Sequence, residues 1–111
     1  MERVSLAETV EPVENVHLAQ LASGERMSVQ HFTIEPGAVV PLHSHHHEQA
    51  GYIVAGTGTF VLEDGEEVPV EAGDSYVIPG DEAHSLENRG DVAVEGIDVF
   101  GPPRPNPDWG E

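Results

Sequence analysis

His43 and His45 are the first residues in this chain whose types and spacing suit chemistry. On a β-strand, side chains at i and i+2 leave the same face, so the two imidazoles form a pincer. Gln49 lies four residues beyond His45 and keeps that parity. Glu48 points the other way unless a bulge intervenes, and it stays open as the alternative donor. A further imidazole has to come from elsewhere, and His84 sits just after a turn, at the start of another strand. Imidazoles converging from different strands inside a small barrel suit a divalent metal. The competing reading of His43 and His45 is a solvated histidine-rich loop. His46 and His47 extend the run, and either line an entrance or merely decorate it. His17 and His31 have no such companions and read as ordinary surface or core residues. With no Cys there is no thiolate ligand, no cysteine nucleophile and no disulfide.

The elements that must position these residues read as strands separated by turn chemistry. Strands are predicted over Arg26–Ile34, Val39–His45, Gly51–Leu62 (with a possible bend at Gly56-Thr57-Gly58), Glu67–Val70, Ser75–Ile78, Ala83–Glu87 and Val92–Phe100. Asp64-Gly65 is a hairpin signal, and Pro79-Gly80-Asp81 and Asn88-Arg89-Gly90-Asp91 are further turns. Regular short strands with such turns indicate an all-β barrel or sandwich. The first 20 residues suggest an edge strand and a loose arm, and helical periodicity is confined to a possible turn near Val16–Leu21. The tail from Gly101 to Pro107 is expected to be stiff and extended, because proline fixes φ and removes donors. In the last strand Val92, Val94, Gly96, Asp98 and Phe100 share one face, and Ala93, Glu95, Ile97 and Val99 the other. Both faces carry apolar residues, so parity alone does not say whether Asp98 points into the barrel.

At 111 residues the chain is expected to be one domain, 1–111, with a core over about 26–100. Its 4 Lys+Arg and 21 Asp+Glu leave a net charge of −17, which repels phosphate backbones and anionic lipid. Nucleic acid and membrane surfaces are therefore poor partners, and no apolar run approaches the roughly 20 residues of a bilayer span. No basic-then-apolar leader pattern is visible, so a cytoplasmic location is expected. All the basic residues are Arg (Arg3, Arg26, Arg89, Arg104). A lysine-free acidic surface suits concentrated salt, where screening collapses self-repulsion.

Gly37, five residues, His43-Ser44-His45, three residues and Gln49, followed later by Gly56, resembles the first motif of the cupins. Gly73, five residues, then the run from Pro79 to Asn88 resembles their second motif, with Asp81 where glycine is usual. The resemblance implies a double-stranded β-helix, or jelly-roll, barrel with one divalent metal (Zn, Ni, Mn or Fe). The ligands would be His43, His45, Gln49 and His84. The ending Asp98-Val99-Phe100-Gly101-Pro102-Pro103-Arg104 resembles that of cupins that linearise 4,5-unsaturated uronates from pectin and alginate breakdown. By that resemblance Asp98, Phe100 and Arg104 are the pocket residues that do the chemistry, on a small anionic substrate. Small cupins of this kind imply a homodimer. A redox-metal dioxygenase and a binding module without turnover are the alternatives. A neutral amide at position 49, where many cupins have Glu, favours Lewis-acid work over an oxidised metal.

Overall fold

The computed structural model describes residues 1–104; the expectation for Pro105-Asn106-Pro107 lies outside them. The described strands are β1 (Val10–Val13), β2 (Val16–Ser23), β3 (Ser28–Ile34), β4 (Val39–His43), β5 (Glu48–Ala55), β6 (Thr57–Leu62), β7 (Glu67–Glu71), β8 (Ser75–Ile78), β9 (His84–Glu87) and β10 (Val94–Gly101). They form a six-stranded sheet, β1-β2-β3-β10-β5-β8, and a four-stranded sheet, β4-β9-β6-β7. All the pairings are antiparallel. Strand chemistry accounts for the order. Pro12, Pro41 and Pro69 lie on β1, β4 and β7, all edge strands, where a missing N–H costs no ladder bond.

The core fills the space between the sheets with Val16, Leu18, Phe32, Ile34, Ile53, Phe60, Leu86 and Val94. Alternation delivers these residues: in β3, Ser28, Gln30, Phe32 and Ile34 turn inward while Val29, His31 and Thr33 do not. His17 and His31 bind carboxylates on the barrel exterior, at 2.6 Å to Glu35 and 2.7 Å to Glu95.

Several expectations are corrected. Val16–Leu21 is not a helical turn but part of β2, and Val16 and Leu18 are core residues upstream of position 26. A pattern of two apolar residues at close spacing fits both periods, and pairing with β3 decides between them. The expected third strand is two strands in different sheets, divided at Gly56. That residue has φ 85°, and a Cβ there would lie 2.3 Å from the Ala93 carbonyl oxygen, so only glycine passes the chain across. Val92 is exposed and precedes β10, which begins at Val94. Finally, β4 ends at His43, so His45 stands in the loop beyond it and the two imidazoles are not simple strand alternates.

Candidate metal centre

Four segments bring the candidate residues together. His43 ends β4 and is directly opposite His84 at the start of β9. His45 follows in the loop, and that loop is tied down from the turn before β9: the Asp81 N–H donates to the His45 carbonyl at 2.7 Å. Asp81 has φ 69°, so the residue that replaces the usual glycine adopts the left-handed turn itself. Gln49 is on β5, beside Phe100 on β10 and Ile78 on β8.

The His43, His45 and His84 ligand atoms all lie within 4.8 Å of one another. Ring centroids are 4.5 Å apart for His43 and His84, and 5.3 Å apart for His45 and His84. Each imidazole is oriented by a main-chain carbonyl at Nδ1: Pro41 at 2.8 Å, His47 at 3.1 Å and Glu82 at 2.8 Å. A carbonyl only accepts, so each Nδ1 carries the hydrogen and each Nε2 keeps its lone pair. Burial, with the Arg104 and His84 charges adding to it, holds His45 down to about 4. Burial likewise lowers His43 to about 4, and lowers His84. The imidazoles are neutral at pH 7, as ligation requires.

Gln49 is the fourth candidate donor, buried beside the imidazoles. Its Oε1 faces His45 Nε2 at 3.2 Å. Both facing atoms are acceptors, and two such lone pairs repel unless a cation lies against both. The donor set therefore fits a divalent ion held by three imidazole nitrogens and an amide oxygen. Glu48 is exposed, and its neighbour Gln49 is buried, so the alternative donor points away from the cavity.

Asp98 points inward, with Val94, Gly96 and Phe100. Burial raises its carboxyl to about 6, opposed by hydrogen bonds from Tyr76 and Gln49 and by the Arg104 charge. Tyr76 donates to Asp98 Oδ1 at 2.5 Å, and burial and the carboxylate push its own phenol upward. Arg104 is buried, its main-chain N–H held at 2.9 Å by Ser28 Oγ and its guanidinium 5.2 Å from the centre of the Phe100 ring. Phe100 also meets His45 edge-on at 5.7 Å. One cavity is thus bordered by His43, His84, Gln49, Asp98, Phe100 and Arg104, with Leu18, Phe32 and Phe60 as its apolar wall. His46 is exposed, while His47 is half-buried with its ring 6.2 Å from Phe100.

Sequence reasoning missed Tyr76 and Gln30, which also line the cavity. The signal was parity: Tyr76 stands two residues before inward Ile78 on β8, and Gln30 is directly opposite Asp98.

The Cupin_2 model, described as a cupin domain, matches residues 30–100, which contain both histidine segments and the strand bearing Asp98. The chain belongs to the cupin family. This cupin is 36% identical over 91 residues to the oxalate-binding protein of Thermotoga maritima, covering 77% of this chain and 74% of that protein. It is 36% identical over 81 residues to the L-ectoine synthase of Mycobacteroides abscessus, of whose length the match spans only 61%. In structure the cupin is similar to KdgF from Halomonas sp., with a TM-score of 0.83 over 95% of this chain and 96% of that one. At 24% identity that likeness is one of fold.

Proposed function

We propose that this cupin is a metal-dependent enzyme that opens 4,5-unsaturated uronates and tautomerises them to linear keto sugar acids. The observation that carries the reading is the convergence of three neutral imidazoles, a buried carboxylate and a buried guanidinium on one cavity. The Asp98-to-Arg104 ending, which resembles that of uronate-linearising cupins, supports the substrate class. In this reading His43, His45, Gln49 and His84 hold the ion, which when bound supplies an electrophile for a substrate oxygen. Arg104 takes the substrate carboxylate bidentately. Phe100 packs against the sugar and excludes water. Asp98 accepts the proton of the anomeric hydroxyl as the bond from that carbon to the ring oxygen breaks. The ring oxygen leaves as an enolate, and Asp98 returns the same proton to the alkene carbon as the enolate becomes a ketone. The reaction is an isomerisation and needs no redox partner.

The test is metal-loaded protein mixed with unsaturated galacturonate, following loss of the enol-acid ultraviolet band against the spontaneous rate. Acceleration that disappears in His43→Ala is expected. A metal-filled site that leaves the spontaneous rate unchanged overturns the assignment. The 36% identity to an oxalate-binding protein favours a second reading, a carboxylate-binding module without turnover. Titration calorimetry separates the two, since that module binds oxalate or the uronate tightly and shows no rate for Asp98→Asn to lower. We further infer a cytoplasmic, salt-adapted protein that works as a single-domain homodimer, from the charge balance and the resemblance to small cupins.

A further inference from the structure

We infer that Gln30 is a specificity-determining residue: its amide hydrogen-bonds the hydroxyl on the carbon next to the anomeric centre, and so selects sugar acids that carry it. The inference rests on the uronate reading and deepens it. Gln30 turns inward from β3, is 5% exposed and borders the cavity. Of the other neutral polar side chains on that wall, His43 and His84 donate to main-chain carbonyls, Gln49 faces His45, and Tyr76 donates to the Asp98 carboxylate. The Gln30 amide makes no hydrogen bond among the described residues. Burying an amide without a partner is costly, and a ligand that pairs with it recovers the loss. An amide both donates and accepts, as a hydroxyl does, so the two satisfy each other without a charge. The substrate carboxylate is left to Arg104.

The sheet register chooses the hydroxyl. Gln30 is directly opposite Asp98, and both are buried. Residues directly opposite on antiparallel strands have Cβ atoms about 4.5–5.5 Å apart, so amide and carboxylate address neighbouring atoms of one ligand. With Asp98 at the anomeric hydroxyl, the next hydroxyl along the ring is the one within reach of Gln30. Strand β3 gives nothing to the candidate donor set, which comes from β4, the loop after it, β5 and β9. It does hold the substrate end: two residues before Gln30, Ser28 Oγ accepts the main-chain N–H of Arg104 at 2.9 Å. A change at Gln30 therefore alters ligand recognition without removing a metal donor.

Titration calorimetry on Zn(II)-loaded protein tests this with galacturonate and 2-deoxygalacturonate, which lack the alkene and so do not react to the keto acid. One net hydrogen bond is worth up to about tenfold in affinity, and a buried site left unpaired loses more. The parent is expected to bind galacturonate at least about tenfold more tightly than the deoxy sugar. Gln30→Leu, which keeps the bulk, is expected to lose that preference by weakening galacturonate alone. Its melting temperature and Zn(II) affinity are expected to stay near the parent values, and with unsaturated galacturonate its KM rises while kcat changes little. Where the saturated sugars bind too weakly to measure, unsaturated galacturonate and its 2-deoxy form are compared by kcat/KM, with the same expectations. Equal treatment of the two sugars by the parent, with unsaturated galacturonate still opened, overturns the role of Gln30 alone and needs no variant. A preference retained in Gln30→Leu overturns it as well. Parent protein that binds neither sugar and leaves unsaturated galacturonate at its spontaneous rate overturns the uronate reading, and this inference with it.

Discussion

Asp98 and Arg104 are opposite charges buried in the same cavity of a strongly acidic protein, and their proposed tasks differ enough to be told apart kinetically. Asn at 98 keeps the shape and removes the proton transfer. Asp98→Asn is therefore expected to lower kcat for uronate opening by about 100-fold or more, the usual worth of a positioned acid or base, with KM little changed. Lysine at 104 keeps the charge and loses the planar fork. Arg104→Lys is expected to raise KM by about tenfold, or about 1.4 kcal/mol, with a smaller effect on kcat. Steady-state kinetics on the two variants checks both expectations, and equal losses in the same parameter would mean that the two residues act as one unit.

Among the elements, the turn after β9 ties several others together. Asn88 is buried, and its amide nitrogen donates to the carbonyls of Ile34 at 2.9 Å and Val92 at 2.8 Å. Its amide oxygen accepts the Gly90 N–H, and its own main chain pairs with Gly37 and Ala38. One side chain thereby ties the end of β3 to the approach to β10, which carries Asp98. Asn88→Ala removes the side-chain donor to the buried Ile34 carbonyl, at about 1–3 kcal/mol for such a group. Urea unfolding is expected to shift by about 2 kcal/mol, with metal affinity per folded molecule retained. By contrast, Arg89 is exposed where it meets Glu67 at 2.9 Å and Glu87 at 3.1 Å, and such pairs contribute about 0–1 kcal/mol.

For the whole molecule, charge dominates. At −17 the folded chain repels itself, and the Debye length falls from about 10 Å at 0.1 M salt to about 3 Å at 1 M. Thermal melts in increasing KCl are expected to rise by about 10 °C over that range, which corresponds to about 2 kcal/mol for a chain of this size. A melting temperature indifferent to KCl would remove salt adaptation and leave an acidic protein of ordinary habit. Most of the charge belongs to the surface, while inside the cavity the Arg104 cation helps to keep the imidazoles neutral.

Strands with glycine and proline turns, an interior histidine run and an acidic, cysteine-free composition were legible in the chain, because each is a local property of neighbouring residues. So were both motifs and the Asp98-to-Arg104 ending. Parity could not say which face of β10 looks inward, since Val94 and Ile97 are both apolar; pairing of β10 between β3 and β5 settles that question. Nor could parity place His45, which belongs to a loop held by a hydrogen bond from Asp81, 36 residues away by their numbers. Tyr76, Gly51 and Asp98 are far apart in the chain and form one row only through the register of three strands. Register is set by the global fit of the strands, and no local pattern contains it.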